Sequence, residues 1–232
     1  MRNKLFIEAL CTFFLCAGSI LTQGPIPIAA LLCALIYLGA AISGAHYNPA
    51  VSLAVRLRRR AGTKSMFAYM AVQLAAAILA AVVVGLIAGH DAEHTKGAVE
   101  ALSDSPYEGV WSSSVVEILG TFLLVLVILM VGTSRLTAGN SYFGVAIALT
   151  VLGFEGTFAE FTPTLNPAVT LGSAFHGVAS ALFGDTGGVE ALIKEGVYLA
   201  KTAPRILIDM SAQLAGGVLA AFSFRMLFPE DR

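Results

Sequence analysis

The sequence predicts an all-α integral membrane fold: six transmembrane helices plus two re-entrant half-helices in an inverted repeat. Three observations carry this reading. The 232 residues are 57% hydrophobic and only 12% charged, with a mean hydropathy of +0.81, whereas a soluble domain is nearer 45–50% apolar and about 25% charged. The apolar residues gather into stretches close to the roughly 20 residues that cross a bilayer. Finally, the tripeptide Asn-Pro-Ala occurs twice, at Asn48-Pro49-Ala50 and Asn166-Pro167-Ala168, each time followed by an apolar run too short to cross.

Taken in order, the predicted spans are Leu5–Leu21, Pro27–Ser43, Met66–Gly89, Ser112–Val131, Phe143–Ala159 and Ile206–Phe228. The opening Met1-Arg2-Asn3-Lys4 resembles the start of a signal peptide, but no small-residue cleavage site follows, so this stretch reads as the first span. Thr22–Pro27 must be a tight turn. The half-spans are Val51–Leu57, which runs into Arg56, Arg58, Arg59, Arg60 and Lys64, and Val169–Phe175.

Basic residues set the predicted orientation. Arg2, Lys4, the Arg56–Lys64 cluster, Arg135, Arg225 and Arg232 fall on one side, taken as cytoplasmic with both termini. The acidic segment His90–Trp111 falls outside, with Lys96 its only Lys or Arg; Lys194, Lys201 and Arg205 also fall outside and count against the assignment. The expected location is the cell (inner or plasma) membrane.

The halves align. Glu8 matches Glu117 at a separation of 109 positions, Asn48 matches Asn166 at 118, and Gln73 matches Gln213 at 140. The chain therefore reads as one transmembrane channel domain, 1–232, of two pseudo-repeats, about 1–100 and 110–232. The growing separation places an insertion around His176–Pro204, within which Val189–Leu199 could form a short amphipathic helix lying on the surface or a longer loop. Three spans per half is odd, so the halves enter from opposite sides, and a functional site is expected near the midplane where the broken segments meet.

The tripeptide suits that role. Proline loses no hydrogen bond at the first turn of a helix and has a helical φ already, and Asn before it is a favoured N-cap. Each copy then starts a half-helix whose N-terminus carries about half a positive charge. Two such ends meeting head to head repel cations, while the two Asn amides can donate to a passing hydroxyl. The alternative is a pair of caps packed together without a pore.

These motifs, with the lead-in Ser43-Gly44-Ala45-His46 and the Glu-x-x-x-Thr pattern at Glu8/Thr12 and Glu117/Thr121, make the chain resemble the aquaporin and aquaglyceroporin (major intrinsic protein) family over nearly its whole length. The resemblance implies a homotetramer with one pore per subunit, and Glu8 and Glu117 bracing the re-entrant loops, with His46 structural too. It also implies a selectivity filter of four residues. Counting from the two Asn positions gives Ile28, Phe154, Pro163 and Val169. Val169 stands where the family usually has Arg, and Phe154 where water-selective members typically have His. The expected filter thus lacks a charge or strong hydrogen-bonding group, and is wide unless Phe154 swings in. Glu155 and Glu160 fall near the outer vestibule, where they either attract cations or are solvated at a helix end, the latter being favoured.

The function expected is a passive channel for small neutral solutes: water, glycerol, and neutral hydroxides such as arsenite, with methylated arsenicals. Val at the Arg position resembles aquaglyceroporins associated with bacterial arsenic resistance. Two alternatives stand beside this: a water and glycerol facilitator with no metalloid role, and a coupled secondary transporter using Glu8 and Glu117. Net charge −1 and a pI near 6.4 argue against a nucleic-acid partner. No motif supplies an activated nucleophile, His90 and His94 fit no zinc pattern, and no cofactor or metal is expected. Cys11, Cys16 and Cys33 read as small buried hydrophobes.

Overall fold

The computed structural model describes residues 1–22, 24–88, 109–183 and 188–231. The acidic segment between the third and fourth spans, including His90, His94 and Lys96, lies outside the described residues apart from its last three positions, as does Arg232.

The described residues form eight α-helices: α1 (Arg2–Leu21), α2 (Pro25–Ser43), α3 (Pro49–Leu57), α4 (Thr63–Ala88), α5 (Val110–Thr133), α6 (Phe143–Thr157), α7 (Pro167–Phe183) and α8 (Gly188–Leu227). Among them α1, α2, α4, α5 and α8 are long and apolar enough to cross a membrane. Helix α6, with 15 residues, rises about 22 Å, and a 3₁₀ turn at Ala159–Phe161 carries the chain on. The architecture is a membrane-spanning helical bundle in which α3 and α7 are the two re-entrant half-helices.

The half-helices are exchanged between the halves. Helix α3 packs most heavily on α8, and α7 most heavily on α4, so each repeat's half-helix is clasped by the last span of the other. Gly217 makes the first contact possible: a Cβ there would lie 2.9 Å from the Ala50 carbonyl oxygen. Two apolar clusters follow from this interleaving. One joins Cys11, Leu15, Leu35, Tyr47, Leu124, Val151 and Leu165 across both halves, and the other seats Val51, Ala54 and Val55 of α3 against Leu129 and Phe224. Cys11 and Cys16 are buried as packing residues, Cys33 is half-buried, and none forms a disulfide.

The insertion differs from expectation. Val189–Leu199 is neither a separate short helix nor a loop; it is the first part of the 40-residue α8, which runs through Pro204. The stretch Tyr198-Leu199-Ala200-Lys201-Thr202-Ala203 is built of good helix formers, and one proline, which costs a single hydrogen bond to the Ala200 carbonyl, does not end it. Ser113, at the start of α5, donates to Asp209 at 3.1 Å. The α8 segment before Asp209, Gly188 onward, is about 30 Å long and continues past the level where α5 begins. Helix α7, longer than the expected Val169–Phe175, pairs with it, Gly177 lying beneath the Glu195 carboxylate.

On the face bearing the N-terminus, Arg58 is buried. It donates to the Thr133 hydroxyl (2.7 Å) and carbonyl (3.1 Å) and to Asp231 Oδ2 (2.9 Å), with its guanidinium 4.1 Å from the Phe224 ring centroid. Arg60 reaches Asp231 Oδ1 at 3.1 Å, and the Arg135 N–H donates to Oδ2 at 3.1 Å. This cluster ties α3, α5 and the C-terminus together.

Candidate functional site: two half-helix ends and a lined cavity

Each Asn of the repeated tripeptide caps its own helix. Asn48 Oδ1 accepts the Ala50 N–H at 2.8 Å and Asn166 Oδ1 accepts the Ala168 N–H at 2.9 Å, while Pro49 and Pro167 open α3 and α7. Each Asn also reaches across. The Asn48 amide donates to the Leu165 carbonyl (2.9 Å) and the Asn166 amide to the Tyr47 carbonyl (3.0 Å). An Asn amide carries two donor hydrogens, so one on each remains after this contact.

Tyr47 and Leu165 are bent to suit. Both have left-handed backbones, φ 48° and 54°, a conformation costing a non-glycine residue about 1–2 kcal/mol. The bend turns each carbonyl to the opposing Asn and each N–H to a buried glutamate. Tyr47 N–H donates to Glu8 Oε2 at 2.8 Å, and Leu165 N–H to Glu117 Oε2 at 3.0 Å. Glu8 also accepts the His46 N–H (3.0 Å), Ser43 Oγ (2.6 Å) and Gln73 Nε2 (2.9 Å). Glu117 accepts the Thr164 N–H (2.9 Å) and hydroxyl (3.2 Å).

The repeat extends to the next shell of contacts. The His46 ring lies 3.1 Å from Ser52 Oγ, which Gln73 contacts at 3.1 Å. In the second half Thr164 Oγ1 lies 2.6 Å from Thr170 Oγ1, and Gln213 donates to both, at 2.7 and 2.8 Å. Carboxylates this buried are stable only when their oxygens are filled with donors, and both are.

Two cavities meet at this junction. The larger, about 820 Å³, opens on the N-terminal face, and its only charged lining residues are Lys4, Arg60 and Arg135. The narrower, about 50 Å³, includes Asn48 and Asn166 in its wall. They share Ile36, Ala45, His46, Ile128 and Ile147, so the two lie end to end beside the half-helix ends. By the same measure one water needs about 10–15 Å³, so the narrow part has room for a few waters in file.

Of the four residues counted as a filter, Ile28 and Val169 line the narrow cavity, and Phe154 and Pro163 do not. Phe154 fills the notch left by Gly120 on α5 and stacks on Phe158 with ring centroids 4.5 Å apart. Pro163 is buried in the loop wall, and its neighbour Thr164 lines the cavity instead. From α6 the lining residues are Ile147, Val151 and Glu155, one helical turn apart. Counting back from Asn166 assumes an unbroken register through the loop. Between α6 and Asn166 the chain passes through the 3₁₀ turn at Ala159–Phe161 and left-handed Thr162 (φ 45°). The wall is thus not wholly apolar, since Glu155 stands in it, half-buried rather than solvated at a helix end; Glu160 is exposed. Branched aliphatics, among them Leu32, Ile36 and Ile128, make up much of the wall.

The all-helical fold agrees with comparison to known proteins. The profile of the family described as Major intrinsic protein matches residues 17–224. The chain belongs to this family. Family members are passive channels rather than enzymes. The chain is 30% identical over 200 residues to aquaporin AqpM of Methanothermobacter thermautotrophicus, covering 86% of this chain and 74% of that protein. It is 28% identical over 196 residues to glycerol uptake facilitator protein-like 6 of Lactiplantibacillus plantarum, covering 84% and 80%. In fold it is similar to the aquaglyceroporin of Plasmodium falciparum, with a TM-score of 0.68 at 20% identity over 99% of this chain and 98% of that one.

Proposed function

We propose that this major intrinsic protein passes small neutral solutes, with water, glycerol and arsenite-type hydroxides, including methylated arsenicals, as its substrates. Residues 1–232 act as one channel domain of two pseudo-repeats, assembled as a homotetramer in the cell membrane with both termini cytoplasmic. The observation that carries the reading is the pair of adjoining cavities at Asn48 and Asn166, the narrow one with no Lys or Arg in its wall among the described residues. The glycerol facilitator among the relatives supports glycerol, and Val169 in place of the usual Arg supports solutes larger than water.

A cation on this path meets two helix N-termini and a wall in which Glu155 is the one acidic side chain among the described residues, so giving up its hydration there costs far more than a neutral solute pays. A neutral polyol can exchange water for the spare Asn donors. Ile28, Ile36, Ile128, Ile147 and Val169 are β-branched residues on helices, held near one χ1 rotamer, so the wall they form is firm. An arginine at 169 would add a long cationic side chain to it.

The test is stopped-flow volume change of reconstituted vesicles under water, glycerol and arsenite gradients, with Val169→Arg beside the wild type. Glycerol and arsenite entry that Val169→Arg blocks while water still passes is the expected result. Passage of water alone by the wild type would overturn the substrate assignment.

A further inference from the structure

The three glutamates that approach the half-helix region are treated very differently. Glu8 accepts four hydrogen bonds and Glu117 three. Glu155 is half-buried in the cavity wall, yet among the described residues nothing hydrogen-bonds its carboxyl or forms an ion pair with it. A carboxyl withdrawn from bulk water without a partner is costly, and a group of purely structural use would be supplied with donors as the other two are. What faces it is the cavity.

Its depth can be read from helix geometry. Ile36 and Ile147 belong to the stretch shared by both cavities, and Ile28 and Glu155 each lie eight residues farther from the N-terminal face, about 12 Å along α2 and α6. The tops of those helices touch, a Cβ on Gly156 falling 3.7 Å from Pro25. Glu155 and Ile28 therefore stand at one level, with Val169 completing the narrow wall. That level offers the Glu155 carboxyl, the group there able to accept more than one hydroxyl, with Ser19 of α1 also in the wall, set against branched aliphatics. Its chemistry is complementary to a short polyol, with hydroxyls toward the carboxyl and C–H groups toward Ile28 and Val169.

We propose that Glu155 is the specificity-determining residue of the narrow cavity, hydrogen-bonding the hydroxyls of a small neutral polyol as it passes. This rests on the channel reading above and deepens it.

The test is stopped-flow light scattering of reconstituted wild type, Glu155→Leu and Glu155→Gln, with glycerol and sucrose gradients applied to the same vesicles. The readout is the ratio of glycerol to water permeability, which does not depend on how much protein is correctly inserted. Glu155→Leu lowers the ratio about tenfold, the size of one net hydrogen bond, and Glu155→Gln, which keeps an acceptor and a donor, recovers most of that loss. An unchanged ratio in Glu155→Leu overturns the proposal, and so does a fall in Glu155→Gln as deep as that in Glu155→Leu. Wild-type vesicles passing neither solute would overturn the channel reading and this one with it; glycerol flux indifferent to residue 155 overturns only this one.

Discussion

Asn48 and Asn166 are cross-linked by reciprocity: each donates to the carbonyl of the residue preceding the other, at 2.9 and 3.0 Å. Every half-helix cap is thus also a tie to the opposite loop. Asn166→Ala removes one cap and one tie and is expected to cost about 2 kcal/mol, with Asn48→Ala similar. Because the two Asn side chains share one assembly, the double variant should lose less than the sum of the two. Thermal unfolding of the purified protein in detergent measures all three; strict additivity would show that the loops are independent.

The glutamates differ in how much they hold. Glu8→Gln places an amide donor against donors that now point at a carboxylate: two backbone N–H groups, Ser43 and Gln73. The expected loss is about 3 kcal/mol, and Glu117→Gln, with fewer partners, should lose less. Osmotic water flux per folded protein should fall with stability in both, because the loops they hold carry the cavity wall. Equal losses at the two sites would contradict this ranking.

The sequence made the caps and braces readable because their chemistry is local and repeated. Asn before Pro specifies a helix start, and Glu8 and Glu117 recur in matching contexts with Gln73 and Gln213. Glu155 was not readable at the same level. Whether it or Phe154 faces the cavity depends on the rotation of α6 about its axis and on the Gly120 notch that admits the Phe154 ring. The signal available was the spacing of Ile147, Val151 and Glu155 along one face of α6. The helical continuity through Pro204 was hidden for another reason. A proline inside an apolar helix marks a boundary on average, and here the helix formers before it and the packing of α8 against α7 weigh against one.

Asp231 predicts an acid-sensitive clamp. The Ser134 hydroxyl, the Arg135 N–H and the Arg58 guanidinium hold its carboxyl below the usual carboxylate range. A depressed native value means the carboxylate contributes stability above about pH 4, its ordinary value, and loses that contribution as pH falls through the native one. Asp231→Ala should remove the acid-dependent part and leave Arg58 buried without its ion-pair partner, a loss of about 3 kcal/mol at neutral pH. Melting temperatures of the wild type and variant between pH 3 and 7 check both statements. The curves should converge at the acid end; parallel curves would mean that another carboxylate controls the transition.

Gly217 bears the exchange of half-helices. A Cβ at this position would sit 2.9 Å from the Ala50 carbonyl oxygen and 3.3 Å from the Ala50 carbonyl carbon and Cβ. All belong to the first turn of α3, whose backbone is fixed by the Asn48 cap and cannot rotate away as a long side chain would. Gly217→Val must push α3 off α8 or strain both, at a cost of about 1–3 kcal/mol or more. Moving α3 moves Asn48 with it and lengthens the bond to Leu165, so flux should fall further than the stability loss alone requires. Gly196→Val, on the projecting part of α8 where a Cβ would meet nothing within 4 Å, is the matched control for a valine in the same helix. Measured together, water flux and melting temperature should separate the two variants; equal effects would show that the crossing of α3 and α8 does not set the geometry of the path.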